Sequence, residues 1–314
     1  MTNGIDIDDD IAEVTGSDRD FKKALVAGAF DKMSQLTIGG KITVIPDELG
    51  RLTNLEHLYV EKCKVKALPE TFFELVSLQT FSANTVRMAR LPEGGWGSLD
   101  QLTTLVLPGG LTELPADLGD AKNIAGELDL RHTKIKALPE SVGRMAHVNA
   151  ILCPPGLETL PTSIGGMKSL ASLTLGKVRA LPEDLGSLKE LKEIWVAEGA
   201  PLKVLPESIG KCSALSDLEL RGLRLSALPE SLADCPLEHL SLTKMDRLTT
   251  LPARLGANGT LQTLALGTGV TSLPTSLLKS RELRRVILPS DFESQLRASS
   301  EHVLATLGKA VAFQ

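Results

Sequence analysis

The chain reads as an α/β repeat solenoid, with a curved parallel sheet on the concave side, short helical turns on the convex side and a helical cap at each end. Three observations predict it. Eleven Leu-Pro or Ile-Pro pairs, from Ile45-Pro46 to Leu273-Pro274, recur every 21 to 24 residues. Between successive pairs runs the pattern L-x-x-L-x-L, clear in Leu55-Glu56-His57-Leu58-Tyr59-Val60 and in Leu215-Ser216-Asp217-Leu218-Glu219-Leu220. After the pairs runs P-x-x-h-G, with h apolar, as in Pro206-Glu207-Ser208-Ile209-Gly210. A period in the twenties, held through most of 314 residues, means stacked copies of one supersecondary unit that cannot bury an apolar face alone. Such a stack escapes the size limit on single cores, because each repeat packs only on its neighbours.

The elements follow in order. Residues 1–16 are rich in Asp and are expected to form a flexible acidic segment. Ser17-Asp18-Arg19-Asp20, followed by Phe21, Leu25, Val26 and Phe30, predicts a cap helix over 17–32, with an N-cap signal and a one-sided apolar stripe. Repeats fill 33–290. The last three residues of L-x-x-L-x-L alternate apolar, free, apolar, as a strand with one buried face must. They predict strands at 36–38, 58–60, 81–83, 105–107, 128–130, 151–153, 173–175, 194–196, 218–220, 240–242, 264–266 and 286–288. In P-x-x-h-G, Pro suits a first helical turn because its missing N–H is an orphan there anyway. Acidic residues favour the same turn, and Gly is expected to end it in a left-handed conformation. Phe292, Leu296, Val303, Leu304, Leu307 and Val311 recur at helical spacing and predict a C-terminal cap helix over 291–314.

Composition excludes several functions. A net charge of −5 and a pI near 5.7 oppose a nucleic-acid partner, which needs clustered Lys and Arg to release counterions. No run reaches the roughly 18 to 20 apolar residues of a membrane span, and MTNGIDIDDD at the start is unlike a signal peptide. A cytoplasmic protein is expected. Aromatics make up 3% of the chain, so the core is expected to be aliphatic.

Cys63, Cys153, Cys212 and Cys235 form no CxxC pair, and no His has a second His at metal spacing. No metal or cofactor is implied. Cys212 and Cys235 fall one rung apart, within reach of a disulfide, although a reducing compartment with free thiols suits the chain better. Ser241 and His239 share a strand face, but a Ser-His pair without an orienting acid and an oxyanion hole is no hydrolase.

These motifs resemble the leucine-rich repeat proteins, specifically the class with L-P-x-x-I-G-x-L-x-x-L-x-x-L-x-L repeats. That class is similar to the intracellular Ras-group repeats of eukaryotes and to the repeat domains of effectors that bacterial pathogens inject into host cells. The resemblance covers about residues 33 to 290. It implies a protein-binding sheet face, acting in the cytoplasm or in a host cytosol. The chain departs from the family at the inward position three residues after each strand, where the family usually has Asn. Here stand Cys63, Val86, Gly110, Thr133, Gly156, Val178, Gly199, Leu223, Met245 and Gly269. Other partners must satisfy the turn backbone.

The candidate site is the outward column of the strands: Thr37, Tyr59, Ser82, Val106, Asp129, Leu152, Thr174, Trp195, Glu219, Ser241, Ala265 and Ile287. Trp195 is the central candidate, since aromatics are enriched in interface hot spots. Glu193, Glu198, Asp217, Glu219 and Glu238 surround it, with Arg221, His239 and Lys244 at the margin. Such an acidic field around an apolar anchor suits a basic protein or peptide presenting Lys or Arg beside an apolar residue. Tyr59 with His57, and Asp129 with Arg131, extend the candidate surface. Tyr59 and Trp195 stand six rungs apart, about 29 Å at ~4.8 Å per rung, so a ligand using the whole face is a protein or peptide.

Two alternatives accompany this non-enzymatic reading. One is the substrate-recognition domain of a ubiquitin-ligase-type bacterial effector. Only 26 residues follow Leu288, too few for a catalytic core, so ligase activity would lie outside this chain. The other is an oligomerising scaffold, whereas a monomer is expected for the binding module.

Overall fold

Strands form where the apolar alternation places them. The computed structural model describes residues 4–289, 300, 302, 303, 305–307 and 311–313, and the chain divides into two units, Met1–Pro154 and Pro155–Gln314.

In the first unit β1 (Ile5–Asp8) and β2 (Ile11–Val14) pair antiparallel, and helix α1 (Asp18–Val26) follows. Parallel strands then add one per repeat: β3 (Gln35–Ile38), β4 (His57–Val60), β5 (Thr80–Ser82) and β6 (Thr104–Val106). Leu36, Leu58, Phe81 and Leu105 stand in one register column, and all are buried. β7 (Ala125–Asp129) pairs in parallel with β8 (His147–Leu152), with a register shift between Gly126 and Glu127.

The second unit repeats the scheme in β9 (Ser172–Leu175), β10 (Glu193–Val196), β11 (Asp217–Glu219), β12 (His239–Leu242), β13 (Thr263–Leu266), β14 (Arg285–Leu288) and β15 (Val311–Phe313). Its buried column is Leu173, Ile194, Leu218, Leu240, Leu264 and Val286.

The N-terminus corrects the expectation of a flexible segment. β2 pairs in parallel with β3 and buries Ala12 and Val14 completely, so residues 11–14 supply the rung that covers the first repeat. The acidic run Asp6, Asp8, Asp9 and Asp10 before it masks a four-residue strand whose buried Ala12 and Val14 recur with period two. Ser17 caps α1, its Oγ accepting from Asp20 N at 3.2 Å. Phe21, Leu25 and Phe30 are buried, with the two rings edge to face at 6.0 Å. Val26, expected in the same stripe, is 54% exposed.

Asp18 ties this helix to the first repeat. Burial opposes its ionisation. Hydrogen bonds from Thr43 Oγ1 at 2.5 Å, Thr43 N at 2.7 Å and Val44 N at 3.3 Å outweigh that and hold its pKa below the ordinary 3.8. A folded-state pKa below the unfolded one gives stability that is full above the unfolded value and lost as pH falls through the folded one. Acidification from about pH 5 to about pH 2 is therefore expected to lower the protection of the Thr43 and Val44 amides, their exchange being taken relative to the intrinsic rate at each pH. Asp18→Asn should raise their exchange at neutral pH and flatten that acid dependence, as hydrogen exchange followed by NMR would show.

Between strands lie short 3₁₀ turns, among them Asp47–Arg51, Glu70–Glu74 and Glu140–Arg144 in the first unit and Glu183–Ser187, Glu207–Lys211 and Glu230–Asp234 in the second. Pro sits one position earlier than expected, as the N-cap: Pro69 is extended (φ −69°, ψ 157°), and its carbonyl accepts from Phe72 N at 3.0 Å.

The glycine of P-x-x-h-G takes the expected left-handed conformation at Gly256 (φ 81°), but elsewhere it has a different reason. Gly50, Gly119, Gly165, Gly186 and Gly210 have no positive φ. They are required by close approach instead. A Cβ on Gly119 would strike the carbonyl oxygen of Ser141, one on Gly186 that of Ser208, and one on Gly210 that of Ser231.

Backbone-to-backbone hydrogen bonds replace the missing Asn ladder. Gly110 N donates to His132 O at 3.0 Å, Lys134 N to Leu111 O at 2.6 Å, Gly222 N to Thr243 O at 2.8 Å and Arg179 N to Glu158 O at 3.1 Å. Val86, Val178, Leu223 and Met245 are thereby left as purely apolar fillers, all buried.

The core is not wholly aliphatic. Trp96 is fully buried against Phe72 and Phe73, with ring centroids 5.9 Å and 5.8 Å away, and its Nε1 donates to Pro92 O at 2.9 Å. Cys212 and Cys235 are free thiols that donate to the carbonyls of Leu185 and Ile209. Burial pushes them up to about 11 and about 12 respectively.

At the C-terminus Ser300, His302, Val303 and residues 305–307 are helical. Ser300 Oγ accepts from Leu273 N at 2.9 Å, and Val303 is buried. Phe292, Leu296 and Leu304 lie outside the described residues. Val311, expected to continue the helix, instead begins β15, which pairs in parallel with β14; two branched or aromatic residues around Ala312 suit a strand.

Candidate functional site

Alternate residues of β10 to β14 face away from the buried column, and the register lines them up. One outward column runs Glu193, Asp217, His239, Thr263, Arg285; the next runs Trp195, Glu219, Ser241, Ala265, Ile287. In the second column side-chain size falls from indole to hydroxymethyl and methyl, then rises again at Ile287. The result is an open depression of about 330 Å³, lined by Trp195, Asp217, Glu219, His239, Ser241, Thr263, Ala265 and Ile287. Trp195 is 47% exposed, a large apolar surface left to water in a chain poor in aromatics.

The carboxylates around it differ in their commitments. Glu193 accepts from Ser172 Oγ at 3.2 Å, and Asp217 from Ser216 Oγ at 2.5 Å. Glu219, the cross-strand neighbour of Trp195, is half-buried and has no hydrogen-bond or ion-pair partner among the described residues. No Lys or Arg lines the depression.

Several residues expected around Trp195 are engaged elsewhere. Arg221 and Lys244 both pair with Glu198, at 3.3 Å and 2.8 Å. The Lys244 hydrogen bond outweighs burial and, with the charges of Lys244 and Arg221 added, holds the Glu198 carboxyl below its ordinary range. That triad carries a net charge of +1, so Glu198 adds nothing to an acidic field. Glu238 precedes β12 and accepts from Gln262 Nε2 at 2.8 Å. Glu193, Arg221 and Glu238 are all outside the lining.

In the first unit Tyr59 registers with Thr37 and Ser82, and His57 with Gln35 and Thr80, so hydroxyl and amide groups flank both, and Glu13 extends the Tyr59 column beyond Thr37. Asp129 and Arg131 pair with each other at 2.8 Å. The Arg131 hydrogen bond holds the Asp129 carboxyl below its ordinary range, and the pair presents little net charge.

Thr263 is the lining residue that sequence reading did not single out. Ser241, Ala265 and Ile287 belong to the expected outward column, but the smallness of Ser241 and Ala265 between Trp195 and Ile287 is the signal for a depression.

Parallel strands one per repeat, linked by Pro-initiated 3₁₀ turns, are the leucine-rich repeat fold, and the chain has that fold. No family model matches it. TMV resistance protein N of Nicotiana glutinosa is 28% identical over 200 residues, spanning 59% of this chain but only 17% of that protein. Among solved structures, a leucine-rich repeat protein of Leptospira interrogans matches 96% of this chain and 88% of its own, with a TM-score of 0.53 and 21% identity. The leucine-rich repeat domain of the type III effector XopL matches 69% of this chain and 78% of its own, with a TM-score of 0.58 and 25% identity. Among the described residues no helix is long and apolar enough to cross a membrane.

Proposed function

We propose that the chain is a non-enzymatic protein-binding module and that the outward sheet face of β10 to β14 recognises a protein or peptide. The observation that carries this is Trp195, 47% exposed at the rim of a depression and beside an unpaired carboxylate. A half-exposed indole over a shaped, partly apolar floor is the composition of a hot spot. The same openness is poor for catalysis: a shallow face admits water, and no hydrogen bond joins Ser241 to His239 among the described residues.

The likeness to the XopL repeat domain favours a second reading within this one, in which the module is the recognition part of a bacterial effector acting in a host cytosol. Affinity capture from host and bacterial extracts, comparing the intact chain with the Trp195→Ala, Glu219→Ala double variant, tests both. A partner retained by the intact chain should lose on the order of 2 kcal/mol or more with the double variant. The extract that yields it separates the two settings. A verified partner that binds both forms equally would remove this face as the site.

A further inference from the structure

The outward face of the second unit is electrically graded as well as indented. Along the column from β10 to β14 the residues pass from Glu193 and Asp217, through His239 and neutral Thr263, to Arg285. In the adjacent column Trp195 and Glu219 hold the acidic end, and Ala265 with Ile287 floors the basic end. Arg284, the residue before Arg285, pairs with Glu282 at 3.2 Å; Arg285 has no such partner among the described residues.

At the acidic end, an exposed indole adjoins the Glu219 carboxylate, which has no partner among the described residues. A guanidinium suits both, because it stacks on an aromatic face while its fork bonds a carboxylate. An ammonium, compact and strongly hydrated, gains less from the indole. Four rungs separate β10 from β14, roughly 19 Å. An extended chain covers that in about six residues.

Resting on the reading that this face binds protein, we infer that its occupant is an extended segment of a partner, laid across the strands, with an arginine over Trp195 and Glu219. An apolar residue seats against Ala265 and Ile287, and an Asp or Glu some six residues from the arginine faces Arg285. Unlike charges at both ends fix the direction in which the segment lies, since the reversed segment meets like charge twice.

The test uses the full chain and a displayed library of random linear 12-residue peptides, followed by affinity measurement on synthetic copies of the selected ones. Selected peptides should carry Arg and an acidic residue about six positions apart, with an apolar residue between. Replacing that Arg by citrulline, which keeps shape and removes charge, should weaken binding about tenfold or more. The citrulline penalty should vanish on the Glu219→Gln protein. Replacing the peptide Arg by Glu should abolish binding to the native chain and restore it to the Glu219→Arg variant, a rescue that misfolding cannot imitate.

Peptides that depend on Trp195 but tolerate citrulline would overturn the arginine assignment and leave the binding face standing. Selected peptides indifferent to Trp195→Ala and Glu219→Gln would overturn both, as would a library that yields no binder.

Discussion

Leu218→Asp is expected to unfold the chain's second unit. Leu218 is 2% exposed in the middle of β11, stacked between the buried Ile194 and Leu240. The substitution deletes a buried leucine, worth about 2 kcal/mol or more in transfer and cavity terms, and demands either an unpaired buried carboxylate or a protonated one. A loss of about 4 kcal/mol or more is expected by urea denaturation followed by circular dichroism. In a stack, one broken layer also withdraws support from the layers on each side. Near-native stability would mean that the inward register of β11 is wrong. Glu219→Ala, one residue along and outward, should change stability by less than about 0.5 kcal/mol; the contrast within one strand isolates burial as the cause.

Gly119→Ala is expected to produce the second largest loss, from a single methyl. The added Cβ meets the Ser141 carbonyl oxygen of the next turn, an atom fixed by backbone and unable to swing aside as a side chain would. Forcing those two turns apart should cost about 3 kcal/mol. It also disturbs the hydrogen bond that Gly119 N donates to Ser141 Oγ at 3.1 Å. Gly156 is the control, having no atom within 4 Å of an added Cβ and no positive φ. Gly156→Ala should be neutral or gain about 0.4 to 1 kcal/mol by restricting the unfolded chain. Calorimetry of the two variants checks the pair, and equal effects would show that glycine serves both places through backbone freedom alone.

The strands were legible because their information is local: apolar, free, apolar is written in three adjacent residues, and the Leu-Pro period sets the register of inward positions such as Ile194 and Leu218. Trp195 was legible as an outward residue for the same reason. The role of Gly119 was not, because its cause lies in another turn, 22 residues on at Ser141. The acidic field was overdrawn for a similar reason: Lys244 reaches Glu198 across 46 residues, a pairing that strand alternation cannot disclose. Asp6, Asp8 and Asp10 dominate the sequence of the N-terminus, although burial of Ala12 and Val14 decides its structure. The depression itself depends on cross-strand neighbours of unequal size, which appear only when Trp195, Glu219, Ser241 and Ala265 are set side by side.

Main-chain amides and carbonyls that bond directly from turn to turn, as Gly110 does with His132 and Gly222 with Thr243, release the neighbouring inward position from any chemical duty. Where an asparagine ladder makes every copy of a repeat answerable to one side chain, here Val86, Val178, Leu223 and Met245 can occupy equivalent places. Each copy is thus free to drift in sequence and to gain or lose a residue at its turn without unravelling the stack. That latitude lets successive rungs diverge until one group of them carries an indole, a lone carboxylate and two small side chains in a row.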